Sequence, residues 1–163
     1  MRALSILQPY AWLIVAGHKD IENRTWRSGY KGPMLVHAGK KYSRRDHDEY
    51  AEEFAEDAIV LPEFEDMCLG GVVGVATMTD CVLQHSSRWK DDGTWGFVLR
   101  DQRELPFVPW RGQLGFFDIP ESAVQLSANA KMCGERSESE RTKGWATERE
   151  RKNTWTRKLG ENT

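Results

Sequence analysis

Lys19, Glu22 and Arg24 put an amine, a carboxylate and a guanidinium within six consecutive positions. Each has a defined chemical use. Arg grips a phosphate or a base edge through two parallel hydrogen bonds. A partly desolvated Lys acts as nucleophile or base, and a carboxylate beside it shuttles a proton. If residues 21–26 are extended, Glu22, Arg24 and Trp26 share one face, with Glu22 and Arg24 about 7 Å apart along the backbone. The same spacing has a plainer reading, a strand-edge salt bridge contributing about 0–1 kcal/mol. Spacing alone leaves both open.

The elements that must position this trio follow from the pattern around it. Residues 3–7 read as a short buried strand. Pro9 suits the first turn of a helix, and residues 10–16 are apolar nearly all round, as in a buried helix. Gly17 is a natural residue to end that helix in positive φ. Residues 34–38 form a further apolar strand. Ser43 is a candidate N-cap for an acidic helix over 44–57, with Tyr50, Phe54 and Ala58 on one stripe. Gly70-Gly71 opens a long strand over 72–83. Further strands are expected at 94–100 and, after Pro106, Pro109 and Gly112, at 114–119. From Glu121 the pattern decays into charged and small polar residues, read as a flexible tail or a charged helix over 144–159.

The 163 residues suffice for one domain of ordinary size. Charge is unevenly spread. Residues 1–45 hold nine Lys or Arg against two acids, whereas residues 46–66 hold ten acids and no Lys or Arg. A basic N-terminal third suits a polyanion, unless the acidic segment folds back to neutralise it. The three cysteines are odd in number and far apart, suggesting no disulfide framework and a reducing compartment. The four histidines show no metal-ligand spacing. No run approaches the roughly 18 apolar residues of a membrane span. The expectation is a soluble cytoplasmic protein with no cofactor, metal or membrane partner.

Several ordered blocks resemble the ASCH (activating-signal-cointegrator homology) domain family. They are Ala3-Leu4-Ser5-Ile6, Gln8-Pro9-Tyr10-Ala11, Gly17-x-Lys19-x-x-Glu22-x-Arg24, and Trp26-Arg27. Tyr30-x-Gly32-Pro33 with Leu35-x-His37-Ala38, then Gly70-Gly71-Val72-Val73-Gly74, follow in order. Trp95-Gly96 and Pro109-x-x-Gly112-x-Leu114-Gly115 complete the set. The resemblance covers residues 3–119. It implies an α+β, PUA-like fold: a small mixed β-barrel of five to six strands with flanking helices, over residues 1–120. The charged tail, 121–163, lies outside it.

The resemblance also implies binding of RNA or another nucleic-acid ligand in a cleft lined by Lys19, Glu22 and Arg24, with Gln8 and Tyr10 as neighbours. Trp26 would be available to stack on a base, and Lys40, Lys41, Arg44 and Arg45 to track phosphates. Some small bacterial members are amidohydrolases that deacetylate N4-acetylcytidine, using a Lys and a Thr of this motif. Here the Thr position is Glu22, and Tyr10 stands where a Trp is more usual. The leading expectation is a module that binds single-stranded RNA or a modified nucleoside. The alternatives are a hydrolase acting on a modified nucleoside or on RNA, with Lys19 and Glu22 catalytic, and an adaptor working through the tail.

Overall fold

The computed structural model describes residues 1–125 and 132–133. In chain order the strands are β1 (Arg2–Ile6), β2 (Ile21–Arg24), β3 (Gly32–Ala38), β4 (Gly71–Val82), β5 (Trp95–Pro109) and β6 (Phe116–Asp118). The helices are α1 (Tyr10–Val15), α2 (Arg44–Ala55) and the short α3 (Glu121–Gln125), with a 3-10 turn at Phe64–Asp66. The six strands form one sheet in the order β2-β5-β4-β3-β1-β6. All neighbours are antiparallel except β1 and β3, which run parallel with α1 in the segment between them. The fold is the α+β architecture expected.

The sheet curls strongly. Phe97 of β5, second in the sheet, stacks on Phe116 of β6, sixth in the sheet, at a centroid separation of 5.9 Å. Trp26, just past β2, meets both rings edge-on at 5.1 and 5.6 Å. Aromatic packing rather than backbone pairing thus draws the two edges together, giving a half-barrel.

Period-two alternation sorts the strand residues. Leu4, Ile6, Met34, Val36, Ala38, Met78 and Leu99 point inside, where Ala11, Ile14 and Val15 of α1 fill the concavity. Ala3, Leu35, Val72, Val75 and Phe117 point out and are covered by a second cluster that includes Ala123 and Val124 of α3. The chain just past residue 120 therefore packs on the sheet. The helix expected over 144–159 lies outside the described residues.

Gly74 explains how α1 can sit so deep. A Cβ there would lie 2.3 Å from Val15 Cγ1 and 2.5 Å from the Arg103 carbonyl oxygen. Only a glycine lets the helix and the neighbouring strand approach that closely.

Two sequence expectations need correction. β5 runs to Pro109, nine residues past the expected end at 100. Beyond Val98 it has no partner in β2, so Pro106 and Pro109 fall on a half-open stretch where a missing N–H is tolerated. The cysteines also differ from their reading. Cys68 and Cys133 form a disulfide, 65 residues apart in sequence, and Cys81 is free. Spacing could not reveal a pair brought together by the return of the chain, and the cysteine pattern carries no argument for a reducing compartment. Among the described residues no helix is long and apolar enough to cross a membrane.

Candidate functional site

The motif lies on the turn from α1 into β2. Helix α1 ends in a Schellman closure: Gly17, at φ 82°, donates its N–H to the Ile14 carbonyl, and His18 donates to Leu13. The Lys19 N–H also reaches the Leu13 carbonyl, at 2.9 Å, and the Lys19 carbonyl accepts from Gln102 Nε2 of β5 at 3.2 Å. The backbone of Lys19 is thus held from both sides before its side chain is considered.

That side chain is buried. Lys19 is 3% exposed and Glu22 8%. Lys19 Nζ donates to Glu22 Oε2 at 2.9 Å and to the Ile21 carbonyl, and it sits 5.6 Å from the centroid of the Tyr10 ring. The other carboxylate oxygen, Glu22 Oε1, takes Arg24 at 3.1 Å. The same Arg24 nitrogen donates to the Ser5 carbonyl of β1 at 2.6 Å. Glu22 therefore bridges two cations, one from each oxygen. The surface salt bridge weighed from spacing is instead a three-residue chain with Lys19 and Glu22 buried and a half-buried Arg24 as its bracket.

Lys19 and Glu22 form part of the wall of a cleft of about 340 Å³. Tyr10, Phe54 and Trp89 supply its aromatic surface, and Asn23, Glu53, Arg88 and Asp91 its polar rim. Burial raises the Tyr10 phenol above its ordinary value, and its hydrogen bond with Tyr50 adds to the effect. Tyr10 is thus a neutral phenol near neutral pH.

Trp89 and Asp91 belong to the loop between β4 and β5, and Asn23 of β2 pins that loop. Asn23 Nδ2 donates to the Trp89 carbonyl at 2.6 Å, while Asn23 Oδ1 accepts from the Asp91 N–H and the Thr94 hydroxyl, each at 3.2 Å. Trp89 Nε1 in turn donates to the His18 carbonyl at 2.8 Å.

The other expected site residues are distributed as follows. Gln8 is buried and spans the start of α1: its Oε1 accepts the Trp12 N–H and its Nε2 donates to the Cys68 carbonyl, each at 3.0 Å. It also lines a second hollow, of about 600 Å³, that shares Tyr10 with the cleft. Lys40 and Lys41 line that hollow too, but Arg44 and Arg45 do not. Arg44 pairs with Glu65 and lies over the Phe64 ring, and Arg45 pairs with Glu49 at 2.9 Å. The acidic segment thus neutralises part of the basic cluster. Trp26 is committed to the Phe97 and Phe116 contacts that curl the sheet and is absent from the lining of both hollows.

His37 is buried, with Nε2 against the Trp110 carbonyl at 2.9 Å and Nδ1 against Ser5 Oγ at 3.2 Å. A carbonyl only accepts, so Nε2 carries the proton and, in the neutral ring, the Ser5 hydroxyl donates to Nδ1. This is a satisfied core histidine. Asn23, Glu53, Trp89 and Asp91 were not singled out from the sequence. The position of Asn23 inside the motif was the one available signal.

The ASCH domain family model matches residues 4–97. The chain belongs to the ASCH domain family. The crystal structure of ASCH from Zymomonas mobilis is similar at 12% identity, covering 80% of this chain and 96% of that chain with a TM-score of 0.48. Two point-mutant forms of the Zymomonas mobilis protein are similar at 12% and 13% identity. They cover 77% of this chain and 94% and 92% of theirs, each with a TM-score of 0.46. No curated protein matches the chain. In ASCH terms, the Gly-x-Lys-x-x-Glu-x-Arg block of this chain is one turn and one strand, and it places the Lys and the Glu on the cleft wall.

Proposed function

We propose that this ASCH domain binds a nucleoside unit, from single-stranded RNA or as a modified nucleotide, in the cleft walled by Lys19 and Glu22. The observation that carries the reading is a buried Lys19–Glu22 pair opening onto a cleft with aromatic walls. A nucleobase needs both parts of that surface. Tyr10 and Trp89 offer faces for its ring. The carboxylate accepts from an exocyclic amine, and the ammonium donates to a ring carbonyl or nitrogen. Asn23, by fixing the Trp89 loop, keeps that wall in place.

The test is a thermal-shift screen of ribonucleosides, N4-acetylcytidine and short single-stranded RNAs, with Lys19→Met as the control. A ligand present at 100 times its Kd stabilises the folded state by about 2.7 kcal/mol, a rise of several degrees in Tm. The rise is expected in the native chain and absent in the variant. A screen with no shift in the native chain refutes the reading.

One observation favours a second reading. The 2.9 Å contact between Lys19 Nζ and Glu22 Oε2 is an amine–carboxylate pair at hydrogen-bond distance on a cleft wall, an arrangement suited to proton transfer. Hydrolysis of an acetylated base would consume one water and release acetate and the free amine. Glu22 would act as proton partner to Lys19. Lys19 already donates to the Ile21 carbonyl and to Glu22, so it must break contacts before it attacks a substrate. The arrangement supports binding more directly than turnover. Release of acetate from N4-acetylcytidine by the native chain, lost in Lys19→Met, is the outcome that would favour the enzyme.

A further inference from the structure

We propose that Lys40 and Lys41 form a phosphate-binding subsite next to the cleft, so that a nucleotide within a single-stranded chain binds in preference to a free nucleoside. This rests on the reading of the Lys19–Glu22 cleft as the nucleoside site.

Charge within the cleft argues that the phosphate lies elsewhere. Lys19 is paired with Glu22, and Arg88 with Asp57. Glu53 and Asp91, also on the cleft wall, have no ion-pair partner among the described residues. The balance is negative, which suits a base carrying amines and repels a phosphate.

The second hollow, which shares Tyr10 with the cleft, has the opposite balance. Tyr10 lines both spaces, so the two hollows are neighbours that share one side chain. Lys40 and Lys41 line the second hollow, are exposed, and have no ion-pair partner among the described residues. The single acid in that lining, Asp46, is occupied. It accepts from the Ser43 N–H at 3.0 Å and the Ser43 hydroxyl at 2.8 Å, holding the cap of α2. The Lys40 stem is also steadied by Gly70, where a Cβ would come within 2.8 Å of Lys40 Cε. Tyr10 is thus common to a hollow that favours a base and a hollow that favours its phosphate. Arg44 and Arg45, spent on Glu65 and Glu49, are not part of the subsite.

The experiment measures Kd by calorimetry or fluorescence anisotropy for three classes of probe and a polyanion control. The probes are the ribonucleosides, their 5′-monophosphates and a mixed-sequence single-stranded hexaribonucleotide; the control is poly-glutamate. The proteins are the native chain, Lys40→Gln/Lys41→Gln and the charge-preserving Lys40→Arg/Lys41→Arg. Each phosphate neutralised on a single strand contributes a slope of about 0.7 in log affinity against log salt. Two lysines therefore account for about a sevenfold loss of hexanucleotide affinity between 50 and 200 mM salt. That loss is expected in the native chain and the Arg variant and absent in the Gln variant, while nucleoside affinity stays equal in all three. Full salt dependence in the Gln variant overturns the subsite and leaves the nucleoside cleft standing. Poly-glutamate binding as tightly as the hexanucleotide overturns the choice of ligand. A native chain that binds no nucleoside and no hexanucleotide refutes the cleft reading and the subsite together.

Discussion

The chain of buried Lys19 and Glu22 and half-buried Arg24 makes an ordered prediction about what each link contributes. Glu22 is 8% exposed, and its two oxygens serve different cations at 2.9 and 3.1 Å. Glu22→Gln keeps the shape but offers one acceptor in place of two, and turns an amide NH2 toward one of the cations. Breaking a buried pair this way costs about 3–5 kcal/mol. Lys19→Met removes the ammonium and keeps the apolar stem. Glu22 still has Arg24, so the cost is that of lost hydrogen bonds to a charged group, about 1.5–3 kcal/mol. In the Lys19→Met background the donor–donor contact is gone, and Glu22→Gln should cost about 2 kcal/mol less than in the native chain. Urea unfolding followed by tryptophan fluorescence measures all four corners of the cycle. With a slope of about 2 kcal/mol per molar, a 4 kcal/mol loss moves the midpoint by about 2 M. The reasoning fails if Lys19→Met costs more than Glu22→Gln, or if the two effects simply add. The same ordering makes Lys19→Met the cleaner probe of ligand binding, since it disturbs the fold less.

Three further outcomes follow from geometry already described. Gly74→Ala should destabilise by about 1–3 kcal/mol, read as a lower urea midpoint, because the Arg103 carbonyl 2.5 Å from the new Cβ is backbone and cannot rotate away. Asp46 is held below the usual carboxylate range by hydrogen bonds from the Ser43 side chain and then from its backbone. A carboxylate with a lowered folded-state pKa contributes stability above its unfolded value and loses it as pH falls through the folded one. The stability gap between the native chain and Asp46→Asn should therefore be full at neutral pH and close in acid, as thermal melts across pH would record. The Cys68–Cys133 disulfide closes a loop of 65 residues, for which the chain-entropy relation gives about 4 kcal/mol. Urea unfolding of the oxidised and reduced chain should differ by up to that amount, and identical midpoints would count against the bond.

Much of the fold was legible because local signals and tertiary packing agree. The apolar run over residues 34–38, the Ser43 cap and the positive φ of Gly17 each have one favourable solution, and the structure adopts it. The failures have physical causes. The two prolines in β5 stood between the expected strands at 94–100 and 114–119 because sequence does not show that this stretch lacks a second strand neighbour. Trp26 shares the parity of Glu22 and Arg24, but β2 ends at Arg24, so face-sharing stops there and the ring turns onto Phe97 and Phe116. The cleft was half legible. Lys19 and Glu22 came from the motif, whereas Trp89 and Asp91 arrive on a loop some 65 residues later, anchored by one asparagine that spacing rules give no reason to single out.

The spacing of the motif can now be read as geometry. Gly17 must come first because the helix can end in this closure only through a positive φ. Two residues later Lys19 shares the Leu13 carbonyl with His18, which aims its side chain under β2. Three further positions bring Glu22 onto the strand, within reach of that amine. Two more put Arg24 on the same face, where it binds the carboxylate and the Ser5 carbonyl at once. Each interval is therefore fixed by a contact. The residue at position 22 decides the state of the lysine. A threonine there would offer one hydroxyl and no charge, leaving Lys19 Nζ with the Ile21 carbonyl but without a charged partner. The glutamate fills both cations and makes the wall a matched donor and acceptor. An ammonium held by both the carboxylate and the Ile21 carbonyl must give up a contact before it can attack, and on that ground the proposed recognition is favoured over turnover.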